Sequence, residues 1–240
     1  MSKLILATGL ALVGALAIAV APVAADEPVA TCQGEPATIV ADGTGPVYGT
    51  DGPDVIVGTT GADTIYGGDG GDMICGAPDG ATTDGGDTIY GGNGDDFIVG
   101  FLGNDTIYGG SGNDGIVGGD FSGEPGNPGS KVPDGNDVLD GGNGNDFAAG
   151  MLGNDTITGG NGNDDLFGGP ANDQVSGGNG DDVVVGNFGN DSLSGGNGTD
   201  FLDGDNTDEN NGPALDPNTN SDTCSGGSGS NSFFYCEVQS

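Results

Sequence analysis

The sequence predicts an all-β fold: a parallel β-roll, or β-solenoid, of 18-residue coils whose two strands per coil build two parallel sheets. Three observations predict it. From Gly49 onward the chain repeats a nine-residue unit, seen most clearly over residues 91–117 as GGNGDDFIV, GFLGNDTIY and GGSGNDGIV. Each unit has a Gly-rich turn, an acid at the sixth place and an aliphatic residue at the eighth; that is too little apolar surface to fold alone, so units must stack on their neighbours. The turns also alternate. Odd units from the third onward open with GGxG, whereas even units depart from it with GTTG, GFLG, GMLG and GNFG. The true repeating object is therefore a coil of two unlike units, with odd and even turns in separate columns.

Composition sets the limits. The chain has 240 residues, 55 of them Gly, no Trp and no His, and 37 acids against two bases. So much Gly and charge with so little apolar content suggests disorder, but a disordered chain needs no aliphatic residue at every ninth position. An acidic polymer repels nucleic acid and anionic membrane surfaces, so cations are its natural ligands.

In chain order, residues 1–25 read as a signal peptide. Lys3 precedes an apolar stretch over residues 4–21, and Val23-Ala24-Ala25 supplies the small residues of a cleavage site before Asp26. Kept uncleaved, the same stretch would be an anchor; once it is removed, no membrane span is expected. Export to an oxidising compartment makes the four cysteines two disulfides rather than a metal site. Of the three connectivities, Cys32–Cys75 with Cys224–Cys236 places a clasp at each end.

Residues 26–48 are expected to form an N-terminal cap, residues 49–225 the roll and residues 226–240 a C-terminal cap. Sixteen units begin at Gly49, and a seventeenth, GGSGSNSFF from Gly226, carries Asn231 at the sixth place. Three units, starting at Gly76, Gly118 and Gly204, are stretched between the first Gly and the acid by 6, 14 and 13 residues. Surface turns tolerate this because closing a longer loop costs little. All three are even units, so the insertions should leave along one edge. Phe101-Leu102, Met151-Leu152 and Phe188, on even turns spaced four units apart, are expected to anchor the neighbouring insertions.

With the eighth residue inward, the seventh and ninth face outward. Odd strands then show an apolar outer face (Val55/Val57, Phe97/Val99, Phe147/Ala149, Val183/Val185), and even strands a polar one (Thr64/Tyr66, Thr88/Tyr90, Thr106/Tyr108, Thr156/Thr158).

The turns carry the chemistry. Glycine allows φ > 0 and close backbone approach, so carbonyl oxygens can converge, and Ca2+ takes six to eight oxygens from carboxylates and carbonyls together. Mg2+ fits less well because it demands a tight octahedron. The nonapeptide resembles that of the RTX (haemolysin-type) calcium-binding repeat proteins, here in a secreted form. The resemblance implies multiple Ca2+ ions, each between stacked turns and shared by Asp side chains and glycine-turn carbonyls. The matching odd-column residues are Asp54, Asp72, Asp96, Asp114, Asp146, Asp164, Asp182 and Asp200. Those of the even column are Asp63, Asp87, Asp105, Asp137, Asp155, Asp173, Asp191 and Asp222.

No catalytic constellation accompanies them. Without His there is no Ser-His or Cys-His base, no GxSxG elbow occurs, and calcium duty accounts for the acids. Two non-enzymatic readings remain for a secreted, extracellular calcium-binding protein. One is a structural or interaction module that self-associates or meets a protein partner through the apolar odd-strand face. The other is a carbohydrate-binding or adhesive surface using the Tyr66, Tyr90 and Tyr108 stripe.

Overall fold

The computed structural model describes residues 30–119, 135–204 and 222–238. Among these residues there is no helix, and so none long and apolar enough to cross a membrane. Two ten-stranded parallel sheets run the length of the molecule, one holding only odd strands and the other only even strands. A short antiparallel pair, Thr31–Cys32 with Glu35–Pro36, stands apart from both. The expected roll is thus formed. The sheets also extend beyond the sixteen acid-bearing units. Ile39–Val40 and Val47–Tyr48 form the first rungs, and Ser232–Phe234 and Glu237–Val238 the last.

Register follows the eighth residue. Ile89 pairs with Ile107, and Ile107 with Leu139, although the second step spans the insertion between Gly118 and Asp137. The chain leaves and returns in the even column without shifting the ladder. The expectation that the insertions emerge along one edge holds for this offset and for the Leu193–Cys224 pair. The segments themselves, 120–134 and 205–221, lie outside the described residues, as do residues 1–29 with the expected signal peptide.

Even strands are often longer than three residues. Thr64–Asp69, Thr88–Asn93 and Thr106–Ser111 each run on through the Gly-Gly that opens the next odd turn. Glycine is required there. Gly92 sits at φ +123°, and a β-carbon on it would lie 2.1 Å from the carbonyl oxygen of Gly68 one coil below.

The interior is one residue wide. The eighth-place side chains, Ile56 through Leu202 and finally Cys224, form a single buried row between the sheets. A second apolar cluster lies outside the odd sheet, where Cys32, Ala77 and Phe101 pack against Val57, Cys75 and Val99, with Ala30, Ala37 and Ala81 at its margin. The apolar odd-strand face is thus part covered and part open. Over the first coils the 30–37 segment and the 77–81 insertion cover it, leaving Val57 and Val99 fully buried. Phe147 and Phe201, further along the same sheet, stay exposed. Phe101 does anchor a neighbouring insertion, as expected. Leu152 and Phe188 are exposed, and the insertions beside them lie outside the described residues.

Both expected disulfides form. Cys32–Cys75 ties the antiparallel pair to the third coil, and Cys224–Cys236 ties the final two even strands. Asp79 completes the N-terminal clasp. It accepts hydrogen bonds from the Thr31 hydroxyl (2.7 Å) and from the Gln33 and Gly34 N–H groups (2.9 and 2.8 Å), while its own N–H donates to the Thr31 carbonyl (3.0 Å).

Candidate metal-binding columns

Each sixth-place Asp directly follows a glycine-rich turn and precedes an inward aliphatic, so the strand start drives its carboxylate into the turn. All sixteen expected residues, from Asp54 to Asp222, are buried and stand in two columns of eight. Their Oδ1 atoms form a continuous ladder. Fourteen of them, all but the leading Asp54 and Asp63, accept the backbone N–H of the Asp one coil before, from Asp54 N–H to Asp72 through Asp191 N–H to Asp222, at 2.8–3.2 Å.

The second oxygen behaves differently. Oδ2 of Asp72, Asp87, Asp96, Asp114, Asp146, Asp155, Asp164, Asp173, Asp182 and Asp200 is buried and has no hydrogen-bond donor. It faces the first glycine of its own unit, beside a carbonyl oxygen of the next coil. A β-carbon on Gly91, for instance, would lie 2.4 Å from Asp96 Oδ2 and 2.6 Å from the Gly109 carbonyl oxygen. Two electron-rich atoms therefore converge in a water-poor turn with nothing positive between them, an arrangement that costs free energy unless a donor or cation enters. The chain's two bases, Lys3 and Lys131, lie outside the described residues.

The electrostatics agree. Burial, partly offset by the ladder N–H and reinforced by the carboxylates above and below, pushes Asp114 and Asp173 up to about 7 and Asp96 and Asp164 to about 6. Asp87 rises to about 9, chiefly by burial, with Asp84, Asp105 and Asp63 adding repulsion. Asp84 lies in the Gly76 insertion, outside the nonapeptide pattern; burial raises it to about 7, and Asp63 adds to the rise.

Among the described residues no three acidic or Cys side chains gather at one point. The donor set is instead a carboxylate oxygen plus backbone carbonyls, repeated coil after coil. Such an all-oxygen set suits a hard cation of flexible coordination, so the residues fit Ca2+.

At the column ends the pattern changes. Asp54 Oδ2 accepts the Thr50 N–H (2.7 Å) and hydroxyl (2.8 Å), and Asp63 Oδ2 accepts the Thr59 N–H (2.6 Å) and hydroxyl (2.7 Å). The Thr50 N–H, with the Thr50 and Thr38 hydroxyls, holds Asp54 below its ordinary value against the effect of burial. In the last turn Asn231 Oδ1 takes over the ladder, accepting the Asp200 N–H at 2.8 Å, while its Nδ2 donates to the Gly226 carbonyl.

Sequence reasoning missed the amide ladders. Asn143, Asn161, Asn179 and Asn197, third in their turns, join Nδ2 to Oδ1 at 2.8–2.9 Å. Asn104, Asn136, Asn154 and Asn172, fifth in theirs, each accept at Oδ1 the N–H of the Asn one coil on, the last donor being Asn190, at 2.7–3.1 Å. The recurrence of Asn at those two places was the available signal. The tyrosine stripe includes a fourth member, Tyr48. Its neighbours Tyr66, Tyr90 and Tyr108 follow with ring centroids 4.9–5.0 Å apart and planes within 8°. Both faces of Tyr66 and Tyr90 are thus covered by neighbouring rings, which leaves their edges and hydroxyls rather than faces for a sugar to meet.

Comparison with known families matches the RTX calcium-binding nonapeptide repeat (4 copies) over residues 48–79, 82–116, 134–148, 140–175 and 176–208. The chain belongs to the RTX calcium-binding repeat family. Multiple Ca2+ ions are therefore the cofactors of this RTX roll, and the buried Asp columns suit them. No curated protein matches the RTX chain in a sequence search.

Proposed function

We propose that the protein is a secreted, non-enzymatic calcium-binding protein that folds on Ca2+ into its β-roll and serves outside the cell as a structural or interaction module. The ions lie between successive turns, held by the sixth-place carboxylates and the glycine-turn carbonyls. What supports this reading is the set of ten buried Oδ2 atoms that lack a donor and face carbonyl oxygens. A fold that met water before metal would not gather such atoms. At about 1 mM calcium, a site with Kd about 0.1 mM adds about 1.4 kcal/mol, and the repeat multiplies this along the stack. Export fits the need, because extracellular calcium is plentiful where cytosolic calcium is scarce. The N-terminal apolar segment and the two disulfides agree with that route.

Interaction is assigned to the exposed part of the odd sheet, around Phe147, Phe167 and Phe201, since its first coils are already covered. Calcium titration followed by circular dichroism and light scattering tests the reading. A cooperative gain of β-signal with calcium supports it. The same β-content in excess EGTA refutes it.

A further inference from the structure

Both carboxylate columns are closed at their N-terminal ends by Thr donors and the odd column at its C-terminal end by Asn231, and the N-terminal closure is joined to a small disulfide-clasped apolar layer. In the interior units Oδ2 presses against its own first glycine: a β-carbon would meet it at 2.6 Å on Gly67, 2.4 Å on Gly91 and 2.2 Å on Gly159. On Gly49 and Gly58 the same separation opens to 3.2 and 3.1 Å, because Asp54 and Asp63 are drawn away to Thr50 and Thr59. Each Thr supplies two donors to one oxygen. That is the service an ion would give, so these two turns are electrostatically complete.

Around them lies the only part of the described roll with a second apolar layer: Cys32, Val57, Cys75, Ala77, Val99 and Phe101. The Cys32–Cys75 disulfide and the Asp79 clasp secure it, and the Tyr48–Tyr66–Tyr90 stack begins on the opposite sheet. The C-terminal end has a disulfide and Asn231, but Phe234 and Tyr235 beside them are exposed and form no such layer.

We propose that residues 30–81 form a calcium-independent template, its first two turns closed by Thr50 and Thr59 in place of ions and its third secured by the disulfide and the apolar layer, on which the calcium-dependent coils stack from the N-terminal side. This rests on the calcium-folding reading above and adds to it an order and a boundary. A repeat stack can nucleate wherever a rung is stable by itself, and here the stable rung is at one end.

Hydrogen exchange of the full-length, disulfide-intact chain, read segment by segment in EGTA and in calcium, tests this. In EGTA, strand amides within residues 38–66 should exchange at least about tenfold more slowly than those within residues 147–203, which gain protection only with calcium. Equal fast exchange in both segments in EGTA, with full protection restored by calcium, overturns the template and leaves calcium folding intact. Protection of both segments without calcium overturns the functional reading itself. The double variant Thr50→Val and Thr59→Val isolates the closure. It should lose the protection of residues 38–66 in EGTA yet recover it in calcium, whereas protection unchanged in EGTA would show that the hydroxyls are not what holds the template.

Discussion

The first two units and the units between Asp146 and Asp200 share one backbone register and one inward row of aliphatics, but they treat the same carboxylate in opposite ways. Asp54 and Asp63 are each hydrogen-bonded at Oδ2 by a Thr N–H and hydroxyl. Asp146, Asp164, Asp182 and Asp200 have no donor at that atom. The difference shows that the nonapeptide pattern specifies the shape of the turn, while the residue beside the first glycine decides whether the turn is complete without a cation. One hydroxyl per unit separates a self-sufficient rung from one that waits for an ion.

That contrast breaks most visibly on metal removal. Chelation should abolish most of the β-signal, with loss concentrated in residues 147–203, and circular dichroism with segment-resolved proteolysis would record it. Next in size are two substitutions, one on each side. Phe101→Ala opens the apolar layer of the N-terminal coils and should cost about 3–5 kcal/mol there, measured by denaturant unfolding in calcium. Gly160→Ala, at φ +109° with a β-carbon 2.3 Å from the Gly142 carbonyl oxygen, should disrupt the middle coils in calcium and leave the first coils protected.

A subtler change would move a middle rung toward the solution found at the C-terminus. Asp164→Asn keeps an oxygen for the Asp146 N–H and offers an amide to the glycine carbonyl, as Asn231 does. It should lower the calcium stoichiometry and weaken stability in calcium by about 1 kcal/mol, while leaving order in EGTA equal or greater. Isothermal titration and thermal melts with and without calcium distinguish these effects.

The smallest effect expected is of pH on the metal-free protein. Asp96, Asp114, Asp164 and Asp173 have folded values of about 6 to 7, above their ordinary 3.8, so the folded chain binds protons more tightly than the unfolded one. Their penalty is absent below about pH 4 and grows as pH rises through 6 to 7, so acidification should increase order in the middle coils. Asp54 is lowered instead, and its contribution is present above 3.8 and lost as pH falls through its lowered value. A pH series of exchange measurements without metal should show order in the middle coils rising as pH falls from about 7 towards 4, and the Asp54 contribution being lost only below 3.8.

Much of this architecture was legible in the sequence because it is periodic. The roll, the inward row from Ile56 to Leu202, the two Asp columns and both disulfide pairs follow from spacing and from cysteine placement. What stayed illegible depends on contacts that no period encodes. Thr50 and Thr59 look like ordinary turn residues until their hydroxyls are found on Asp54 and Asp63. The cover over Val57 and Val99 comes from the 30–37 segment folding back across the sheet, a non-local event fixed by Cys32 and Asp79. Tyr66 and Tyr90 read in sequence as a same-column stripe open to either sugar stacking or cross-strand packing, and the parallel stacking of their rings is the packing arrangement.

The uninterrupted pairing of Ile107 with Leu139 carries one more consequence. Thirty-two positions separate these partners where eighteen separate Ile89 from Ile107, yet the rungs align equally well. Contour length between rungs on this edge is therefore decoupled from architecture. Foreign peptides spliced after Gly118 or Gly204 should be carried outward at fixed heights along the stack, which makes the even edge a natural place for sequence novelty to accumulate without endangering the scaffold.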